Sequence, residues 1–140
     1  MEYPDWVTVI AITQDGRFVM ERKYRHWIKR TCYEIWGGTV ESHESPLETA
    51  KRELLEEAEY AGGVWSEYAP PAPNPSAMTN ICHTFIADGV KKVAEQNLEQ
   101  TEDMDIVLLS REDLIDSMSK GEILQGGMLA PLWRYLYETK

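Results

Sequence analysis

Val7 to Ile12 is a β-rich apolar run, Phe18-Val19-Met20 is another, and Asp15-Gly16 lies between them. Two such runs around a turn dipeptide predict an antiparallel hairpin. Arg30 to Trp36 is a further strand candidate. It leads into Gly37-Gly38, where the backbone must turn sharply or approach something closely. The hydrophobic period then changes. Leu47, Ala50, Leu54, Ala58 and Ala61 recur three and four apart, which predicts a helix with a narrow apolar stripe. Ser45-Pro46-Leu47-Glu48 opens that helix with a serine N-cap, proline at the first helical position and glutamate three residues beyond the cap.

Val64 to Tyr68 precedes a proline-rich segment, Ala-Pro-Pro-Ala-Pro-Asn-Pro, which is semi-rigid and cannot form a central strand. Cys82 to Ala87 and Met104 to Leu109 read as two more strands. Ser110-x-x-Asp113 caps a helix reaching about Lys120, where Gly121 ends it. A last helix is predicted from about Gly127 to Tyr137, with Leu129, Leu132, Trp133 and Leu136 on one face. Strands run first and between, and helices are few. The arrangement is therefore α+β or a mixed-sheet α/β/α sandwich, one domain over residues 1–140.

The chain carries a formal net charge of −10, which argues against nucleic acid as a partner because backbone binding needs a basic footprint. A small anionic substrate stays compatible, since a metal ion and local basic residues can reverse the field inside a cleft. Arg22, Lys23, Arg25, Lys29 and Arg30 supply such a local cluster. The apolar stretch from Trp6 to Ile12 is far too short to cross a bilayer. The first residues, Met-Glu-Tyr-Pro-Asp, lack the pattern of a signal peptide, and a cytoplasmic location is expected. Cys32 and Cys82 have no metal-ligand spacing and are expected to be reduced thiols.

The chemistry concentrates between Gly38 and Tyr60, which read Gly-x5-Glu-x7-Arg-Glu-Leu-x-Glu-Glu. Glu53 and Glu57 lie four apart on one helix face with Glu56 beside them. Like charges at that spacing repel by roughly a few tenths of a kcal/mol per pair, so a bare helix would be better without them. A divalent cation removes the conflict, because clustered hard oxygen ligands are what Mg²⁺ or Mn²⁺ requires. A solvated acidic face is the plainer alternative. Against it stand Arg52 inside the run, the glycine pair before it and Glu44 upstream.

This pattern resembles the Nudix box, with Gly38, Glu44, Arg52, Glu53, Leu54, Glu56 and Glu57 in the demanding positions and Tyr60 in place of the last aliphatic residue. It departs once: Glu59 stands where the box has a second glycine. A glutamate in a left-handed helix-ending conformation costs on the order of 1 kcal/mol. The expectation is therefore a helix one turn longer, capped at Gly62-Gly63. The resemblance implies the α/β/α sandwich and Mg²⁺-dependent hydrolysis of a nucleoside diphosphate linked to another moiety, with Mn²⁺ as an alternative ion.

The resemblance also assigns candidate roles. Glu53, Glu56, Glu57 and the carbonyl of Gly38 would bind metal. Arg52 would orient a glutamate of the cluster, with Glu44 in the same network. The proline loop with Asn74-Pro75-Ser76, and the strand after it, resemble ADP-ribose pyrophosphatase-type members, where the loop shapes the pocket for the second half of the substrate. In that branch Glu102 is the best match for a general base, with Glu99, Asp103 and the box glutamate Glu56 as rivals. Arg25, Glu34, Trp36 and Pro75 are candidate substrate contacts; Tyr24 and Trp27 are further aromatics able to stack on a base. His83, in a strand, is expected to be a packed core residue. A homodimer is expected, through surfaces other than the N-terminal segment used in that branch. The expected reaction converts an ADP-sugar such as ADP-ribose to AMP and a sugar phosphate. The rivals are a house-cleaning nucleoside triphosphate pyrophosphatase and a non-catalytic nucleotide-sensing Nudix module. An acidic scaffold is the remaining option.

Overall fold

The hairpin at Asp15-Gly16 starts the sheet, with Gly16 in the left-handed region at φ +85°. In the computed structural model, which describes residues 4–68, 72–73, 81–93 and 104–140, the strands are β1 (Trp6–Thr13), β2 (Phe18–Arg25), β3 (Arg30–Glu34) and β4 (Trp36–Thr39). Then come helix α1 (Pro46–Ala58), β5 (Tyr60–Ala61), β6 (Val64–Glu67), β7 (Ala72–Pro73), β8 (Ile81–Lys92) and β9 (Met104–Leu109). Helices α2 (Arg111–Ser119) and α3 (Gly126–Glu138) end the chain. Strand β8 runs parallel to β1, while β2, β4, β6, β7 and β9 pair antiparallel with their neighbours, so the sheet is mixed.

Alternation along β1 builds two cores. Val7, Val9 and Ala11 face α1 and pack with Ala50, Leu54, Ala58, Trp36 and Phe85. Ile10 and Ile12 face the other way, onto Leu114, Met118, Leu132 and Leu136 of α2 and α3. The fold is thus the α/β/α sandwich, with α1 the one helix on its face among the described residues. Cys32 and Cys82 are both buried and unbridged. Among the described residues, no helix is long and apolar enough to cross a membrane.

Four expectations are corrected. The strand expected from Arg30 to Trp36 is two strands, because the chain changes partners at Ile35: Glu34 still pairs with Glu21 of β2, whereas Trp36 pairs with Val9 of β1. Leu47 is 37% exposed, and the buried stripe of α1 is Ala50, Leu54 and Ala58 with Thr49. In α3 the buried face is Met128, Leu132 and Leu136, spaced by four, leaving Trp133 exposed. The fourth concerns Glu59, which is left-handed at φ 60°, ψ 35° and ends α1 itself.

The reason at Glu59 is tertiary. Tyr60 is buried and pairs with Lys92 of β8, and the Glu59 carbonyl accepts from the Val93 N–H at 2.8 Å. One more helical turn would remove β5 from the sheet, so the chain accepts strain on the order of 1 kcal/mol at Glu59. Gly62 and Gly63, both at φ +79°, serve the turn from β5 into β6.

The pairing of β1 also places the cleft. Residues Trp6 to Val9 pair with β4, and only Ala11 and Ile12 pair with β2. Beyond Val19, β2 therefore parts from β1, and the opening between them is where the functional side chains gather.

Candidate active site

The N-terminal half of α1 is fixed by its cap: the Ser45 hydroxyl accepts from the Glu48 N–H at 3.1 Å. That fixed start sets which way Arg52 projects. Its guanidinium clasps Glu44 with two hydrogen bonds, Nε to Oε2 at 2.8 Å and Nη2 to Oε1 at 2.9 Å. Its Nη1 reaches Glu53 at 3.3 Å and Glu56 at 3.2 Å. Thr49 donates to Glu44 as well, at 3.1 Å. One arginine thus ties the upstream Glu44 to two glutamates of the helix, and its hydrogen bonds hold the Glu44 carboxyl below the ordinary range.

Both glycines before α1 are there for close approach. A side-chain carbon at Gly38 would lie 2.5 Å from the Glu53 carboxyl carbon, and one at Gly37 would lie 2.4 Å from the Val7 carbonyl oxygen. Strand β4 therefore passes directly beneath the box carboxylates. The cleft beside it has a volume of about 700 Å³, within the range of small-molecule sites. Gly38, Glu57, Glu21, Glu34 and Lys23 line it, together with the apolar Trp6, Ile35 and Met128.

Glu57 is the electrostatic centre. Burial, then the neighbouring carboxylates of Glu53, Glu21 and Glu56, push its carboxyl up to about 8. Glu21 is also raised, first by burial and then by Glu34. Lys23 and Arg25 oppose part of that rise at Glu21.

Of the other expected site residues, Arg25 and Glu34 form an ion pair with each other, and Glu34 lines the cleft. Trp36 is a correction: it is 1% exposed, its indole N–H donates to the Val19 carbonyl at 2.8 Å, and its ring belongs to the α1-side core, where no ligand can stack on it. His83 is another. Expected as a packed core residue, it is largely buried, its side chain 14% exposed, but is held by polar partners, Glu67 at 2.7 Å from Nδ1 and Asp5 at 3.2 Å from Nε2. Tyr24 and Trp27 are exposed on and beyond the end of β2, with Tyr24 edge-on to His26. Glu99, Glu102, Asp103 and Pro75 lie outside the described residues. Lys23, from the basic cluster, lines the cleft; Glu21, Trp6 and Met128 were not expected here. Alternation offered a signal for Glu21, since it follows the inward Val19 by two.

A divalent cation fits this donor set. Its side chains offer hard carboxylate oxygens, and the raised Glu57 carboxyl marks a place where positive charge would let it ionise. Among the described residues, no three acidic, histidine or cysteine side chains converge into a closed cage.

Comparison with known proteins agrees with this geometry. The family model described as the NUDIX domain matches residues 3–128. An ADP-ribose pyrophosphatase of Bacillus subtilis (strain 168) is 28% identical over 124 residues, covering 88% of this chain and 67% of the relative. A methanol dehydrogenase activator of Bacillus methanolicus is 31% identical over the same shares. The chain therefore spans about two thirds of the length of these relatives. A crystal structure of an ADP compounds hydrolase superposes with a TM-score of 0.73 over 96% of this chain and 73% of that one; at 17% identity this likeness establishes the fold. The chain belongs to the Nudix family. Within it, the chain is a pyrophosphohydrolase acting on small nucleotide substrates, and enzymes of this family generally use a divalent metal.

Proposed function

We propose that this chain hydrolyses the diphosphate of an ADP-sugar such as ADP-ribose, giving AMP and a sugar phosphate, with Mg²⁺ or Mn²⁺ as cofactor. The observation that carries the reading is the cleft itself. Its lining combines Glu57, Glu21 and Glu34 with the apolar Trp6, Ile35 and Met128, and its volume of about 700 Å³ exceeds what a phosphate chain needs. The relative named ADP-ribose pyrophosphatase supports the choice of substrate.

In this reading Glu53, Glu56, Glu57 and the Gly38 carbonyl hold the metal, which when bound neutralises phosphoryl oxygens and acidifies the attacking water. Arg52 keeps Glu53 and Glu56 oriented through Nη1 while Glu44 anchors its other edge. Lys23 and Glu34, which line the cleft, and Arg25 through its ion pair with Glu34, would serve the phosphate and ribose groups. A carboxylate takes the proton from water as the oxygen joins phosphorus and the bridging P–O bond breaks; Glu102 is the first candidate and Glu56 the second.

The test is product analysis with Mg²⁺ across ADP-sugars, dinucleoside compounds and nucleoside triphosphates. ADP-ribose should yield AMP and ribose 5-phosphate. Glu102→Gln should lower kcat while leaving Mn²⁺ affinity intact. Efficient pyrophosphate release from a triphosphate, with ADP-ribose untouched, would overturn the substrate assignment.

A further inference from the structure

Glu21 is a carboxylate that no box position accounts for. On β2 the inward face carries Val19, buried against α1, and then Glu21, which is only 9% exposed. Its cross-strand partner is Glu34, so two carboxylates project side by side from one face of the sheet. Like charges directly opposite destabilise an antiparallel pair. Glu57 of α1 opens onto the same cleft as both.

The three differ in how they are held. Glu34 has Arg25 as an ion-pair partner. Glu57 lies against the other helix carboxylates. Glu21 makes no hydrogen bond and no ion pair with any described residue, although Lys23 lines the same cleft two residues further along β2. A carboxylate on a residue this buried, with no hydrogen-bond or ion-pair partner among the described residues, is a burden on the fold that a glutamine or methionine would reduce. Lys23 and Arg25 act on it electrostatically without forming an ion pair, and only partly offset its burial and Glu34; further positive charge would enter from the cleft.

We propose that Glu21 is a metal ligand, holding a divalent cation between β2 and α1 with Glu57 as the second carboxylate. The inference rests on the metal-dependent reading above and extends the ligand set from the box helix to the facing strand. Two carboxylates suffice for Mg²⁺ or Mn²⁺, whose remaining positions go to water and to substrate phosphate oxygens. A cation there also explains why two glutamates stand in register where one would do.

The experiment titrates Mn²⁺ alone into the whole protein, by calorimetry and by the electron paramagnetic resonance of free Mn²⁺, for wild type, Glu21→Gln and Glu57→Gln. Thermal unfolding is followed in chelator and in Mn²⁺. Each substitution should weaken Mn²⁺ binding more than about 100-fold, beyond the roughly 10–100-fold expected when only a supporting partner outside the ligand shell is lost. Glu21→Gln should also unfold at a higher temperature than wild type in chelator and gain less from Mn²⁺. If Glu57→Gln loses Mn²⁺ while Glu21→Gln binds it as wild type does, the role of Glu21 falls and the metal-dependent reading stands. If neither loses it, both fall. Glu21→Met, uncharged and similar in volume, takes the place of the glutamine variant in the same titration if that variant fails to fold.

Discussion

The Glu53 carboxylate rests directly on Gly38: a methyl group there would sit 2.5 Å from the carboxyl carbon and 2.5 Å from Oε1. The glycine is a seat for a functional side chain, and this separates two substitutions that look alike in sequence.

Gly38→Ala should leave the fold largely intact, because the long Glu53 side chain can swing away, but kcat/KM should fall at least ~10²-fold as a ligand leaves its place. Gly37→Ala should act in reverse order. Its methyl would meet the Val7 backbone carbonyl at 2.4 Å, which cannot yield without moving β1. Thermal unfolding and kinetics on both variants check this. Equal losses of stability in the two would refute the distinction.

Glu57 makes stability depend on pH once metal is removed by chelator. Its carboxyl titrates near 8 in the folded protein, above its ordinary 4.5, so the folded state binds the extra proton. The associated stability is present below the ordinary value and is lost as pH rises through about 8. The Tm in chelator should fall over that interval, and Glu57→Gln should flatten the fall. In Mg²⁺ the same variant should lose at least ~10²-fold in activity. A flat Tm profile for wild type in chelator would contradict the first expectation.

Arg52 is held edge-on by Glu44, a fork geometry that lysine cannot reproduce. Arg52→Lys should keep the charge yet lower kcat at least about tenfold and weaken Mn²⁺ binding, since Glu53 and Glu56 lose their orienting partner. Steady-state kinetics with Mn²⁺ titration decides it; wild-type values for both would show that charge alone suffices.

Glu59 offers a stabilising change. It is left-handed, and its Oε2 is buried without a hydrogen-bond partner among the described residues. Glu59→Gly relieves both, against a rise in unfolded-chain entropy, and a net gain of about 1 kcal/mol is expected by denaturant unfolding. Activity should be unchanged, because the residue lies beyond the metal-binding face. A loss of stability would mean that the Glu59 side chain holds the helix end in place.

Local rules made much of this protein legible from its residues. The Asp15-Gly16 hairpin, the Ser45 cap and the Glu53–Glu57 spacing each follow from interactions within a few positions of the chain, and the Arg52–Glu44 clasp was readable because both lie in one motif. What the tertiary structure decided involves partners far apart in sequence. Strand register set Glu21 beside Glu34 and brought both to Glu57. The switch of partners at Ile35 turned Trp36 into the core. The demand of β8 for Tyr60 overrode the helix-ending preference at Glu59. His83 found Asp5 and Glu67 through the pairing of β8 with β1 and β6. Periodicity tells which way a side chain points on its own element; which side chain it meets there depends on long-range pairing, which only the assembled sheet supplies.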